Sequence, residues 1–250
     1  MFSRIRSLVG LAGVAAAVSA CSASTVRPPL AAAALPTCPG GSIGKAEDAA
    51  RYADCGKVAG NLRIEDSSLV NLDALANLSM VSGALVIKHN ARLENLDGLR
   101  NLRAVGTLEI RDNPELTSVE GLEALETSRR VSIVSNPSLR RLTGLSGLTQ
   151  LSSLVLSKNG LYSTDGLEGL RQVGDLVISQ NRTLISLGGL SRLERARSIR
   201  IQGNPRICAQ AGLLPQLTEV AGPLELRANS GLFADDVSRL TARAKAGGVE

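Results

Sequence analysis

Few residues in this chain are of types that do chemistry, and their spacing does not suit catalysis. His89 is the single histidine, and it falls in the turn that follows a short apolar strand. One imidazole cannot make a multi-histidine metal site, and a lone histidine in such a turn reads as a solvated surface residue. Aspartates and glutamates are scattered along the whole length. Two of them must come within reach of each other somewhere, which is weak support for a glycosidase pair. Enzymes that hold polysaccharide add aromatic subsites, yet aromatics make up 2% of the chain and tryptophan is absent. No phosphate loop, CxxC pair or calcium loop is present. The expectation is a protein that is not an enzyme, with no metal and no small-molecule cofactor; a polysaccharide-active β-helix enzyme is a distant alternative.

The other reactive residues are four cysteines: Cys21, Cys38, Cys55 and Cys208. Cys21 ends a distinctive leader. Arg4 and Arg6 precede an apolar run from Leu8 to Val18, 11 residues long. That is too short to span a bilayer and right for the core of a signal peptide. The run closes on Val18-Ser19-Ala20-Cys21, which resembles the lipobox of bacterial lipoproteins. The resemblance implies cleavage after residue 20 and acylation of Cys21, with membrane lipid as a partner. Several acyl chains on one residue give stable anchoring. Ser22, rather than an aspartate, follows the cysteine, which favours the outer membrane of a bacterial cell envelope. Residues 21–37 are rich in Pro, Ala and Ser and read as a tether. Extended at about 3.1 Å per residue, it reaches roughly 50 Å from the bilayer.

Charge adds little. Lys and Arg number 28 against 23 Asp and Glu, and the signs alternate along the chain. That is a solvated surface, without the clustered basic face and stacking aromatics of a nucleic-acid binder.

The elements that must position any site repeat themselves. The pairs Leu62/Ile64, Leu85/Ile87, Leu108/Ile110, Val131/Ile133, Leu154/Leu156, Leu176/Ile178, Ile199/Ile201 and Leu224/Leu226 recur at spacings of 23, 23, 23, 23, 22, 23 and 25. Each pair is apolar–variable–apolar, a short strand with one buried face. Three residues later stands Asn90, Asn113, Asn136, Asn159, Asn181, Asn204 or Asn229, with Ser67 in the first unit. Apolar residues then recur every third position, as in Leu116, Val119, Leu122 and Leu125. That period suits a chain that keeps turning corners, not an α-helix. Gly98, Gly121, Gly144, Gly166 and Gly189 each precede a leucine, which suggests a corner needing permissive backbone angles. Single units cannot bury their inner faces, but stacked units make one continuous core. The asparagine column reads as structural: each side chain can bond turn backbone in its own coil and the next.

The pattern G-x-L-x-I-x-x-N-x-x-L-x-x-L-x-G-L-x-x-L-x-x-V, clearest from Gly83 to Val105, resembles the receptor L-domain family over about residues 38–233. That family's fold is a right-handed parallel β-helix related to leucine-rich repeats, and it includes ligand-binding lobes of receptor ectodomains. The expected fold is therefore mainly β, a solenoid of eight coils of about 23 residues with short helical caps at both ends. The fifth coil, from Leu154 to Leu170, departs from the motif and is closer to the internalin type of leucine-rich repeat. The family also opens with a helix clipped by a disulfide, and the helical pattern Ser42 to Asp54 between Cys38 and Cys55 matches it. The resemblance thus implies a Cys38–Cys55 bridge. Cys208 lies where the family places a second bridge, but no later cysteine exists; a buried thiol is the plainer reading and an intermolecular bond the sharper one. At the far end Asp235 and Asp236 can start a capping helix whose Val237, Leu240 and Ala244 share a face. The resulting division is signal peptide 1–20, tether 21–37, helical cap 38–56, solenoid 57–233, and capping helix with tail 234–250.

If the strand pairs point inward, the residues between and after them point out. In the middle coils these are Ser132, Val134, Val155, Ser157, Val177 and Ser179, an uncharged strip between charged ends. Such a patch suits a protein contact. The functional expectation is a lipid-anchored envelope module for recognition or adhesion that binds a protein partner on its sheet face. A structural or self-associating envelope lipoprotein is the alternative.

Overall fold

The computed structural model describes residues 35–208, 213–232 and 234–246. The signal segment, Cys21 and the tether as far as residue 34 lie outside the described residues. What is described forms a β-solenoid of about eight turns, built on one parallel sheet.

The strands are β1 (Thr37–Ile43), β2 (Lys57–Glu65), β3 (Met80–Lys88), β4 (Ala104–Arg111), β5 (Thr127–Val134), β6 (Gln150–Ser157), β7 (Gln172–Ser179), β8 (Arg195–Gln202), β9 (Glu219–Val220) and β10 (Leu224–Arg227). Two helices flank them, α1 (Ala46–Ala50) after β1 and α2 (Ala234–Ala246) at the end. Strands β1 to β8 pair in chain order and β10 closes on β8 beside the short β9. The repeat sets the register: Leu62, Leu85, Leu108, Val131, Leu154, Leu176, Ile199 and Leu224 stand side by side through successive pairings.

One coil shows why this sequence turns as it does. In the second, Leu85, Ile87, Leu93, Leu96, Leu99, Leu102 and Val105 are all buried, so the strand pair and the every-third-residue apolar positions fill one interior. A 3₁₀ turn at Asp97–Leu99 carries the chain round. Turns of this kind suit a period of three, because residues three apart eclipse in a 3₁₀ helix.

Just before each asparagine, and before Ser67 in the first coil, the backbone passes through the left-handed region. The residues there are Asp66, His89, Asp112, Ser135, Lys158, Gln180, Gly203 and Ala228, with φ between 51° and 67°. Seven of the eight carry a side chain and accept a conformation that costs L-residues roughly 1–2 kcal/mol. The turn is held by the ladder residue that follows it, Ser67 in the first coil and an asparagine in the others.

The glycine column has a different cause from the one expected. Only Gly144 and Gly166 of the five have positive φ. What excludes a side chain at all five is the neighbouring coil: a Cβ on Gly98, Gly121 or Gly189 would lie 1.8, 1.9 and 1.8 Å from the carbonyl oxygens of Leu72, Leu96 and Thr164. Ala74 occupies this position in the first coil, where α1 rather than an earlier coil is the neighbour.

The N-terminal cap also differs. Residues Thr37–Ile43, divided by sequence between the tether and a helical cap, form β1, and the helix shrinks to Ala46–Ala50. The unpaired edge of β2 is the reason. It offers a row of backbone donors and acceptors, and β1 pairs with it in parallel from Thr37↔Lys57 to Ile43↔Ile64. The Cys38–Cys55 disulfide, with Cα atoms 5.8 Å apart, ties this strand to the end of the α1 loop. At the other end Leu240 and Ala244 of α2 are buried, while Asp235 and Asp236 occupy its first turn.

Candidate functional site

The outward column of the sheet in the middle coils brings six side chains together by register. Ser132 stands beside Val155, and Val155 beside Val177; Val134 stands beside Ser157, and Ser157 beside Ser179. Five are half-buried by one another and Ser179 is buried. The Ser179 hydroxyl donates to the Ser157 hydroxyl at 2.8 Å. The strip thus has a smooth uncharged surface whose polar groups are partly satisfied within it.

Charges on the same columns above and below are largely paired with each other. Lys88 reaches Glu65 at 3.0 Å, Arg111 reaches Glu109 at 2.8 Å, and Arg200 reaches Glu225 at 3.0 Å. The last pair perturbs both partners. A hydrogen bond from Arg200, then its charge, hold the Glu225 carboxyl below its usual range, with Arg227 adding to the effect. Glu225 raises the Arg200 guanidinium by the same two causes. Because Glu225 is depressed, its contribution is present above the ordinary carboxylate range and is lost as pH falls through its lowered value. Arg200 is exposed and Glu225 only half-buried, so solvent screens the pair and it does little for stability. Its effect is to leave the strip flanked by charge that is already neutralised.

The asparagine ladder lies behind this face. From Asn90 onward each backbone N–H donates to the side-chain oxygen of the next asparagine, through Asn113, Asn136, Asn159, Asn181, Asn204 and Asn229, at 2.9 to 3.1 Å. Each side-chain amide also donates back to a strand carbonyl of the previous coil, as Asn113 does to Ile87 at 3.1 Å. Ser67 ends the ladder, its hydroxyl donating to Asn90 at 2.6 Å. These groups face the interior, and no part of the ladder reaches the strip's outer surface except through the backbone it fixes.

His89 lies between two carboxylates of the left-handed column, 3.5 Å from Asp66 and 3.4 Å from Asp112. Among the described residues no three such groups gather so as to hold a metal ion. Cys208 is a half-buried free thiol that donates to the Ile185 carbonyl at 3.6 Å.

Sequence reasoning overlooked a basic patch beside the strip, where Arg140, Lys158 and Arg182 surround a depression in the fifth coil. The signal was present in the 22-residue spacing of that coil, but its shape was not.

Comparison with known proteins identifies one family. Residues 54–168 match the Receptor L domain, a family of non-enzymatic ligand-binding modules. The matched span runs from the end of the cap into the fifth coil, and β7, β8 and β10 continue the same register beyond it. No curated protein matches the chain.

Proposed function

Taking residues 54–168 as a receptor L domain in a β-solenoid, we propose that the chain is a lipid-anchored protein of the bacterial cell envelope that captures a protein partner on its parallel sheet face. One observation carries the reading of the face. Ser132, Val134, Val155, Ser157, Val177 and Ser179 form a continuous uncharged surface across three strands, while the charges on the same columns pair largely with each other. A partner that covers the strip desolvates no ion, and depletion of charge at the centre with a charged rim is the pattern of a protein contact. The anchor rests on the lipobox-like Val18-Ser19-Ala20-Cys21, which favours acylation of Cys21 and the outer membrane.

The test places a photocrosslinking amino acid at Val155 in the full-length protein in cells, and the same group at Glu225 as control. A single partner crosslinked from position 155 and not from 225 supports the reading. Val155→Glu, whose side chain points outward, then weakens capture of that partner about ten-fold or more, about 1.4 kcal/mol, with the melting temperature nearly unchanged. Equal crosslinking from both positions would overturn it. For the anchor, Cys21→Ser abolishes labelling by a fatty-acid analogue and releases the protein from membranes; membrane retention without label would defeat it.

A second reading, self-association of a structural lipoprotein, is favoured by the half-buried free Cys208. Crosslinks from position 155 to the chain itself, or a dimer lost in Cys208→Ser, would move it ahead.

A further inference from the structure

The fifth coil is short at one place. In the neighbouring coils the next buried apolar side chain stands three positions after the asparagine, as in Asn113 to Leu116, Asn136 to Leu139 and Asn181 to Leu184. In the fifth the step is two, from Asn159 to Leu161. Neighbouring coils close a turn here, with the Leu139 and Leu184 N–H groups donating to the carbonyls of Asn136 and Asn181. The fifth coil has Gly160 instead, whose N–H donates across to the Asn136 carbonyl at 3.1 Å. The missing residue leaves a notch of about 500 Å³ between the turns of the fourth and sixth coils. A Cβ on Gly160 would lie 2.1 Å from the Pro137 carbonyl oxygen and 2.6 Å from the Arg140 guanidinium, so the floor of the notch admits only glycine.

Around this floor stand Arg140, Lys158 and Arg182, with Gln180 and Thr183, and no carboxylate contributes to the lining. All three basic side chains are exposed. None of the ion pairs among the described residues includes any of them. This contrasts with the sheet face, where neighbouring charges neutralise each other. Arg140 is also held in place: it donates to the Gly160 carbonyl at 3.1 Å, and its guanidinium lies 5.2 Å from the centre of the Tyr162 ring. Tyr162 is 47% exposed, the one exposed aromatic among the described residues.

Three unneutralised cations converging on a glycine-floored notch attract an anion, and arginine forks match carboxylate or phosphate oxygens in pairs. The open tyrosine beside them offers an apolar ring with a polar tip, a surface on which the C–H face of a hydroxylated ring can lie. We propose that the notch of the fifth coil binds an anionic sugar, its carboxylate or phosphate held by Arg140, Lys158 and Arg182 and its ring resting near Tyr162. This site adjoins the strip, since Lys158 and Gln180 directly follow Ser157 and Ser179, but it does not depend on the strip's having a partner.

The experiment is calorimetric titration of the full-length protein in detergent with trigalacturonate, glucose 6-phosphate, maltotriose and inorganic phosphate. Trigalacturonate or glucose 6-phosphate binds at one site per chain, and whichever binds more tightly identifies the anion as carboxylate or phosphate. Arg182→Gln and Arg140→Gln each weaken that binding about ten-fold or more, Tyr162→Ala weakens it without affecting inorganic phosphate, and raised salt weakens it further. Lys45→Gln, on the N-terminal cap, leaves it unchanged. Folding of each variant is checked by its urea midpoint; should Arg140→Gln unfold, the charge reversal Arg182→Glu carries the test. Four results would overturn the proposal: no binding of trigalacturonate or of glucose 6-phosphate, maltotriose binding as well as the anionic sugars, inorganic phosphate binding as tightly as both of them, or binding that survives the loss of Arg182.

Discussion

Replacing Asn136 by alanine tests the ladder at its middle, where the consequences can be followed atom by atom. The Asn136 side-chain oxygen accepts the backbone N–H of Asn113 at 3.1 Å and its side-chain amide at 3.2 Å. Its amide donates to the carbonyls of Ile110 at 3.1 Å and Val134 at 3.0 Å. Asn136→Ala removes all of these. The Val134 carbonyl keeps the N–H of Asp112, and the Asn113 amide keeps the Ile87 and Arg111 carbonyls. The Asn113 N–H keeps no replacement in a position with no solvent access. An orphaned buried donor costs about 1–3 kcal/mol, and each ordinary bond lost about 1 kcal/mol, so the expected loss is on the order of 3 kcal/mol. Ser67→Ala is the matched comparison. It removes one hydroxyl bond to Asn90, whose oxygen still accepts the Ser67 N–H at 3.1 Å; the expected loss is about 1 kcal/mol. Urea unfolding of both full-length variants, compared at equal m-value, reads the difference. A gap below about 0.5 kcal/mol would mean that water or backbone rearrangement satisfies Asn113, and that the column is not a ladder whose rungs depend on one another.

Three further substitutions examine the packing. Gly121→Ala sets a methyl group 1.9 Å from the Leu96 carbonyl oxygen and is expected to cost on the order of 3 kcal/mol as overpacking; a variant of unchanged urea midpoint would show that the coils are not in close contact there. Thr164 is fully buried and its hydroxyl has no hydrogen-bond partner among the described residues, so Thr164→Val, matching Val119 two coils earlier in the stack of equivalent residues, stabilises by roughly 1 kcal/mol; destabilisation would mean that the hydroxyl is satisfied. Ser135 has φ of 57°, and Ser135→Gly relieves left-handed strain of about 1–2 kcal/mol against an entropic cost of about 0.5–1 kcal/mol, raising the thermal midpoint slightly; a fall would show that the Ser135 side chain contributes more than its backbone costs.

Eight coils repeat one pattern, so the strand pairs, the asparagine column and the every-third-residue core were legible before any coordinates. A single coil of this kind would be ambiguous between strand and loop; the repetition removes the ambiguity because each unit must bury its face against the next. The uncharged strip was legible for the same reason, since strand alternation alone assigns Val155 and Val177 to the outer face. The glycine column was legible as a position but not as a cause. Its five members look like turn glycines, and only the distance to the preceding coil's carbonyl reveals them as contact points.

Other features depend on partners distant in sequence. No composition marks the left-handed column, because Asp66, His89, Ser135, Lys158, Gln180 and Ala228 have no conformational preference in common. They adopt φ above zero because the ladder residue after each one, Ser67 after Asp66 and an asparagine after the others, pins the turn from the neighbouring coil. Thr37–Ile43 has no alternation and contains a proline and two glycines; it becomes a strand only because the edge of β2 needs pairing. The notch is the plainest case. A spacing of 22 instead of 23 is visible in the sequence, but a missing residue becomes a cavity only when intact turns stand on either side of it, and Arg140, Lys158 and Arg182 become one cluster only when coils that are separate in sequence are stacked at the spacing between parallel strands. The sequence by itself thus determined the period, the inward face and the buried polar column, because these are properties of each unit. Contacts between units decided which glycines are obligatory, which residues bear backbone strain and where unpaired charge collects.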